Sequence, residues 1–394
     1  MHVLMMNPYI QYCVFNIWIV VLYSLSLSDS YNVNGYFISY VITTIIFFLL
    51  ISIKYLFCHR RITRQYVEKR ILCIDNKKLW NRLLFSTFII GTISQIYQVS
   101  TFGATIFQEN MVNRISGEHY VNYFVNLLQV SLMLSYISIK LKVNSNIKLM
   151  KFIFLCSLVL LSLQMNRGAF TPFLFVYIYI NYLISYVNNS VDKWMRKLLI
   201  VGIVFVLFFG FFGDLRVKYV MEEVYHTTVN QHYGMSDYWP TSFVWIYMYL
   251  TSPLENAGRI FMEQEVWVYH YGFNMLYPFL APLSKGLFVN HGNFYSPLEA
   301  DMGLNVYTFI PDAITDFGIV GPYIYMIYLS VLYFIGFSLF KNIYGLLCYV
   351  NIVHLGAWMF FVNAFAIAVD LIMYILFGVM AFIVLRKTNI STKT

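Results

Sequence analysis

Between Phe152 and Val191 the chain runs for 40 residues with one charge, Arg167, and that stretch limits what the molecule can be. A helix crosses the roughly 30 Å of bilayer hydrocarbon with about 20 apolar residues, so the stretch is too long for one crossing and fits two. It reads as a helical hairpin whose turn lies near Asn166, Arg167 and Gly168. Eight further apolar runs of spanning length occur near 10–28, 36–57, 83–101, 121–139, 198–213, 317–340, 343–363 and 365–385. With 60% hydrophobic and 11% charged residues over 394 positions, and a mean hydropathy of +0.65, the composition lies outside that of soluble domains. The expectation is an all-α polytopic integral membrane protein with ten transmembrane helices. The first run is expected to stay in place rather than be cleaved, because no Lys or Arg precedes it and no small-residue cleavage site follows.

Charge sets the expected orientation. Residues 58–82 carry eight Lys/Arg against two acids, 140–151 carry four Lys and no acid, and 188–197 carry three bases and one acid. Ten spans put these segments, and three more bases from Arg386 onward, on one side, with both termini in the cytoplasm. The net charge of +8 is therefore topological and gives no nucleic-acid signature. Residues 213–316 are the opposite, with four bases and eleven of the eighteen acids. Three regions follow: a bundle of about seven helices over 1–212, a large outer loop region over 213–316, and helices with a short cytoplasmic tail over 317–394. Two short apolar stretches in the loop, 241–251 and 273–289, are expected to be interfacial or re-entrant; if both cross, the count becomes twelve. None of the five cysteines, Cys13, Cys58, Cys73, Cys156 and Cys348, lies in the outer region, so no disulfide or Cys-based metal site is implied.

Within the loop, "SPLENAG" at 252–258 and "SPLEADMG" at 296–303 share a Ser, a Pro and a Glu three residues after the Ser. That is a helix-start signature, which gives Glu255 and Glu299 capping work. Residues 215–226 space Val217, Val220, Met221 and Val224 as one apolar helix face, with Arg216, Tyr219 and Glu223 on the polar side. The loop is also rich in Tyr and Trp, which suit interfacial belting and, more specifically, stacking on sugar rings.

Few cations are available at the outer face, and the arginines among them are Arg167, Arg216 and Arg259, with Arg114 in a small loop that also contains Glu109 and Glu118. A guanidinium fork donates two parallel hydrogen bonds and keeps its charge, so it suits a lipid diphosphate. Each has a plainer reading. Arg259 has Glu255 and Glu263 at i−4 and i+4 and can be an exposed helix pair; Arg216 and Arg167 can snorkel to the headgroups. In "NVYTFIPDAITDFGIVGP", 305–322, Asn305 opens the segment, Pro311 suits a helix start, and Asp312 and Asp316 fall four apart on one face. Paired carboxylates suit a general base or a hydroxyl-orienting group, and acids near a helix N-terminus are also favourable without chemistry. Gly318 and Gly321 are expected to permit close helix approach. The outer histidines lack metal-ligand spacing, and His291 is the alternative base. His354 and Asp370 are ionisable groups inside spans, the strongest argument for a transporter.

Three features together, "NRGAF" at the hairpin turn, "GDLR" at the exit of the following span and "NVYTFIPDAITDFGIVG" leading into a span, resemble the bacterial O-antigen polymerases, the Wzy-type oligosaccharide repeat-unit polymerases. The resemblance implies an inner-membrane glycosyltransferase with a GT-C-like fold. It implies transfer of a growing glycan from undecaprenyl diphosphate to a new lipid-linked repeat unit, with no nucleotide sugar, no cofactor and no catalytic metal. Arg167, Arg216 and Arg259 would contact the donor diphosphate, and Asp316 or His291, with Asp312 beside them, would serve the acceptor hydroxyl; Tyr219, Asn305 and Asp370 are further positions at the same face. Expected partners are the lipid-linked donor and acceptor, membrane lipids, a chain-length regulator and the flippase of the same pathway, and no nucleic acid. An O-antigen ligase would use the same donor, and a repeat-unit flippase is the alternative from another class.

Overall fold

Long runs of Ile, Leu, Val and Phe have no polar side chains with which to satisfy their backbone, so the backbone must satisfy itself, and a helix does this within one segment. The computed structural model describes residues 8–32, 35–58, 63–74, 76–102, 121, 124–143, 146–163, 170–200, 202–203, 227–262, 271–276, 308–361 and 368–391. Over these residues the chain is all-helical, with one isolated bridge between Ser28 and Met235. The main helices are α1 (Pro8–Ser24), α2 (Gly35–Cys58), α3 (Lys77–Phe102), α4 (Leu127–Lys140), α5 (Ile147–Ser162), α6 (Thr171–Val187), α7 (Thr241–Met262), α8 (Ile310–Phe317), α9 (Gly321–Leu339), α10 (Ile343–Trp358) and α11 (Ala368–Ser391). Among the described residues, two helical stretches, Lys77–Thr101 and Ile310–Leu339, are long and apolar enough to cross a membrane, and six shorter apolar helices accompany them.

The chain divides into two compact units. The first comprises Met1–Arg61, Met195–Tyr333 and Leu355–Ala368. In it α1 and α2 pack as a hairpin, with Tyr12 against Phe48 at 4.7 Å between ring centroids. Helix α7 lies on that hairpin. Gly258 lets the backbone of α7 approach the Phe37 ring, since a Cβ there would stand 3.2 Å from it. Helix α9 joins α2 through Tyr323, whose ring meets Phe47 at 5.2 Å and whose hydroxyl pairs with Thr43 Oγ1 at 3.0 Å.

The second unit comprises Ile62–Trp194, Phe334–His354 and Val369–Thr394. Its centre is Val125, Leu128, Leu132 and Leu161, with Phe88, Phe154 and Phe173 packed around them. Tyr136 joins three helices, its ring meeting Phe154 on α5 and Phe173 and Tyr177 on α6. Polar pins lie within the apolar body: Ser131 to Ser157 at 2.6 Å, and Trp80 Nε1 donating to Ser138 Oγ at 2.8 Å. The 40-residue apolar stretch is two helices, α5 and α6, as its length requires. Residues 164–169 between them, with Arg167 and the predicted hairpin turn, lie outside the described residues.

Apolar side chains also cover the outside. On α1 the exposed face carries Val14, Ile17, Trp18 and Val21; on α5 it carries Phe152, Leu155 and Val159; on α11 it carries Ile372, Ile375, Val379 and Phe382. Only 22% of the apolar window of α3 is buried. Buried positions, in contrast, include Gln95, Gln129, Asn230, Glu255, Asp316, Asn351 and His354. Contiguous apolar faces of this extent are rare on soluble monomers.

One element departs from expectation. The stretch 241–251 was expected to stop short, with a new helix starting at Ser252, yet α7 runs unbroken from Thr241 to Met262 with Pro253 inside it. Packing overrides the proline: every residue from Thr251 to Gly258 is buried, and the Pro253 carbonyl accepts from the Thr308 N–H at 3.3 Å. Glu255 therefore caps nothing. The second Ser-Pro-Leu-Glu, at 296–299, lies outside the described residues. At Pro311 the expected helix start holds, since Pro311 sits in the first turn of α8.

Candidate functional site

Two polar clusters form within the first unit, and each depends on how α7 and α8 are held. The loop after α1 is fastened to the segment before α7. Asp29 N–H donates to the Gly234 carbonyl at 2.8 Å, Ser28 Oγ donates to the Tyr233 carbonyl at 2.5 Å, and Leu27 N–H donates to Tyr247 Oη at 3.1 Å. Gly234 has φ +59, and a Cβ there would fall 2.7 Å from Ser30 Oγ, so the turn requires glycine. Thr228 and Gln231 form a capping box on Val229–His232, and Asn230 donates to the carbonyls of Ser236 and Trp239, both at 2.9 Å. Burial lowers the pKa of His232, which favours its neutral form.

This loop delivers backbone groups to Glu255. The carboxylate is 1% exposed. Its Oε2 accepts from Tyr23 Oη at 2.7 Å, and its Oε1 accepts from the Asn32 N–H at 3.2 Å and from Arg259 Nε at 2.7 Å. Arg259 Nη2 in turn donates to the Ser30 carbonyl at 3.0 Å. The arginine side chain is 33% exposed, so the pair has a buried anionic end and a cationic end that reaches the surface. Tyr31 closes the cluster, sharing a hydrogen bond with Thr251 at 2.8 Å and lying between the rings of Tyr23 and Tyr247. Burial pushes the Tyr31 phenol well above its ordinary range, so it stays neutral.

The second cluster surrounds Asp316, also 1% exposed. Its Oδ1 accepts from the Asn274 N–H at 3.0 Å, and its Oδ2 accepts from the Met275 N–H at 2.9 Å and from Tyr325 Oη at 2.7 Å. Asp316 thus caps the helical turn at 273–276 from another element, as an N-cap side chain does locally. Asn274 Nδ2 adds a bond to Thr315 Oγ1 at 2.9 Å. The turn that enters 273–276 has φ +52 at Tyr271 and +85 at Gly272, and the Phe317 ring lies so close that a Cβ on Gly272 would stand 2.8 Å from it. Asp312 is buried one turn before Asp316 on α8. The two clusters are linked, because the bond from Thr308 to Pro253 fastens the chain just before α8 to α7 two residues before Glu255.

In the second unit, His354 Nε2 pairs with Thr171 Oγ1 at 2.8 Å and its ring meets the edge of Phe175. The first residue of α6 is thereby tied to α10. Asp370 is the third residue of α11. Arg167, Arg216, Tyr219, His291 and Asn305 lie outside the described residues.

Of the predicted site residues, the structure brings Asp312 and Asp316 together on α8 and places Arg259 in an ion pair whose carboxylate is buried. Sequence reasoning missed Tyr23, Ser30, Tyr31 and Asn32. The only signal was a short polar run, "SDSYN" at 28–32, after an apolar span, and nothing in it points to a partner more than 200 residues away. Comparison with family models, curated proteins and solved structures gives no match, so the functional reading rests on the residues themselves.

Proposed function

We propose that this chain is an O-antigen polymerase, a GT-C-like glycosyltransferase that crosses the bacterial inner membrane ten times with both termini in the cytoplasm. The observation that supports it most is the combination of an apolar outer surface with Arg259, a partly exposed guanidinium held by the buried carboxylate of Glu255. Such a group suits the anionic headgroup of a lipid-linked substrate lying against the same surface.

In the reaction, the acceptor sugar hydroxyl attacks the anomeric carbon of the donor glycan. The bond from that carbon to the diphosphate oxygen breaks, and its electron pair leaves with undecaprenyl diphosphate. Arg167, Arg216 and Arg259 meet the charge on the departing diphosphate without a metal. Asp312 or His291 takes the hydroxyl proton, and Asp316 orients the acceptor through the 271–276 segment that it holds.

Deletion of the gene in a strain that makes O-antigen, followed by lipopolysaccharide electrophoresis, tests this reading. A polymerase leaves lipid A core capped by a single repeat unit. Core without any repeat unit would point to a ligase or flippase instead.

A further inference from the structure

We propose that Glu255 is a positioning residue, which sets the guanidinium of Arg259 for an anionic phosphate headgroup; this rests on the reading of Arg259 as a ligand for the donor diphosphate. An ordinary i, i+4 pair on a helix has both ends in water and contributes little. Here the carboxylate is buried while the arginine reaches the surface. Tyr23 holds Oε2, the oxygen that Arg259 does not use, and the Asn32 N–H shares Oε1 with Arg259, so two groups from outside α7 fix the anion in place. Glu255 and the Ser30 carbonyl take Nε and Nη2, which lie along one edge of the guanidinium and fix its plane relative to both α7 and the loop after α1.

A neutral glutamine at 255 keeps one acceptor oxygen, enough for Tyr23, and turns an NH2 donor toward Arg259 Nε and the Asn32 N–H, so the grip on the guanidinium is what it loses. What only the anion supplies is a strong, oriented grip on a cation. The loop after α1 therefore belongs to the site through the Ser30 carbonyl and the Asn32 N–H.

The test uses the full chain in phosphatidylethanolamine nanodiscs with geranylgeranyl diphosphate as probe and geranylgeraniol as control. Dissociation constants are measured for the wild type, Arg259→Ala, Glu255→Gln and the double variant. Each single change is expected to weaken diphosphate binding about tenfold, the order of one charge-assisted hydrogen bond, without changing binding of the alcohol. If Glu255 acts through Arg259, the double variant binds no more weakly than Arg259→Ala. Wild-type affinity in Glu255→Gln, or losses that multiply to about a hundredfold in the double variant, would overturn the positioning role and leave Arg259 as a ligand. Equal binding of diphosphate and alcohol by the wild type, or full affinity in Arg259→Ala, would overturn the headgroup reading itself. Should Glu255→Gln fail to insert, Tyr23→Phe replaces it in the same cycle, with an expected loss of about threefold that again vanishes beside Arg259→Ala.

Discussion

A carboxylate taken out of water loses several kcal/mol of hydration unless donors replace it. Glu255 accepts from Tyr23 and Asn32 outside its own helix and from Arg259 within it, and the donors Asn274, Met275 and Tyr325 to Asp316 all come from outside its helix. Arg167 belongs to the same argument at the other end of the charge scale, as a cation between apolar runs with no acid near it in sequence. Arg167→Ala is expected to abolish chain extension while the protein still inserts, and Arg167→Lys to restore only part of it, because an ammonium lacks the planar fork. Full extension in the alanine variant, read from lipopolysaccharide ladders, would leave snorkelling as the better account. At this scale the sequence showed which residue types matter but not what they touch. The Ser252–Glu255 spacing carries a capping signal that the buried course of α7 overrides, and the Asp312–Asp316 spacing placed both acids on one face without showing that Asp316 caps a separate segment.

Elements are shaped here by close approach as much as by hydropathy. Between α8 and α9 the chain turns through Gly318, with φ +68, and a short 3-10 turn, and at Gly321 a Cβ would stand 1.7 Å from the Ala313 carbonyl oxygen. No side chain movement relieves a clash with backbone, so Gly321→Ala is expected to cost about 3 kcal/mol and to reduce the yield of folded protein. Gly202→Ala, whose Cβ would meet nothing within 4 Å, is the control and should leave yield unchanged. Lipid exposure has its own test on α3, where Ile93 is 62% exposed in the apolar face. In water Ile93→Lys would be harmless, whereas at bilayer depth it should cost about 3 kcal/mol and lower membrane insertion in a glycosylation-mapping assay. Normal insertion would argue that this face meets water. The helices themselves were legible because apolar runs of this length have few alternatives. The course of α7 was not, since an internal proline is tolerated only when long-range packing surrounds it.

For the whole molecule, the all-helical class and the two-helix reading of 152–191 follow from length and composition. The contacts that build the candidate site do not. Tyr23 meets Glu255 across 232 positions, and Asn274 meets Asp316 across 42, with backbone amides providing several of the donors. Backbone groups carry no residue signature, so sequence pattern has nothing to read. The central claim is that this chain joins lipid-linked glycans, and the most direct measurement is reconstitution. The purified protein in proteoliposomes is supplied with undecaprenyl-diphosphate-linked single repeat units, and products are resolved by size. The account expects a ladder of longer glycans on the lipid carrier with release of undecaprenyl diphosphate, both lost in Arg259→Ala. Unextended repeat units after prolonged incubation with correctly inserted wild-type protein would contradict it.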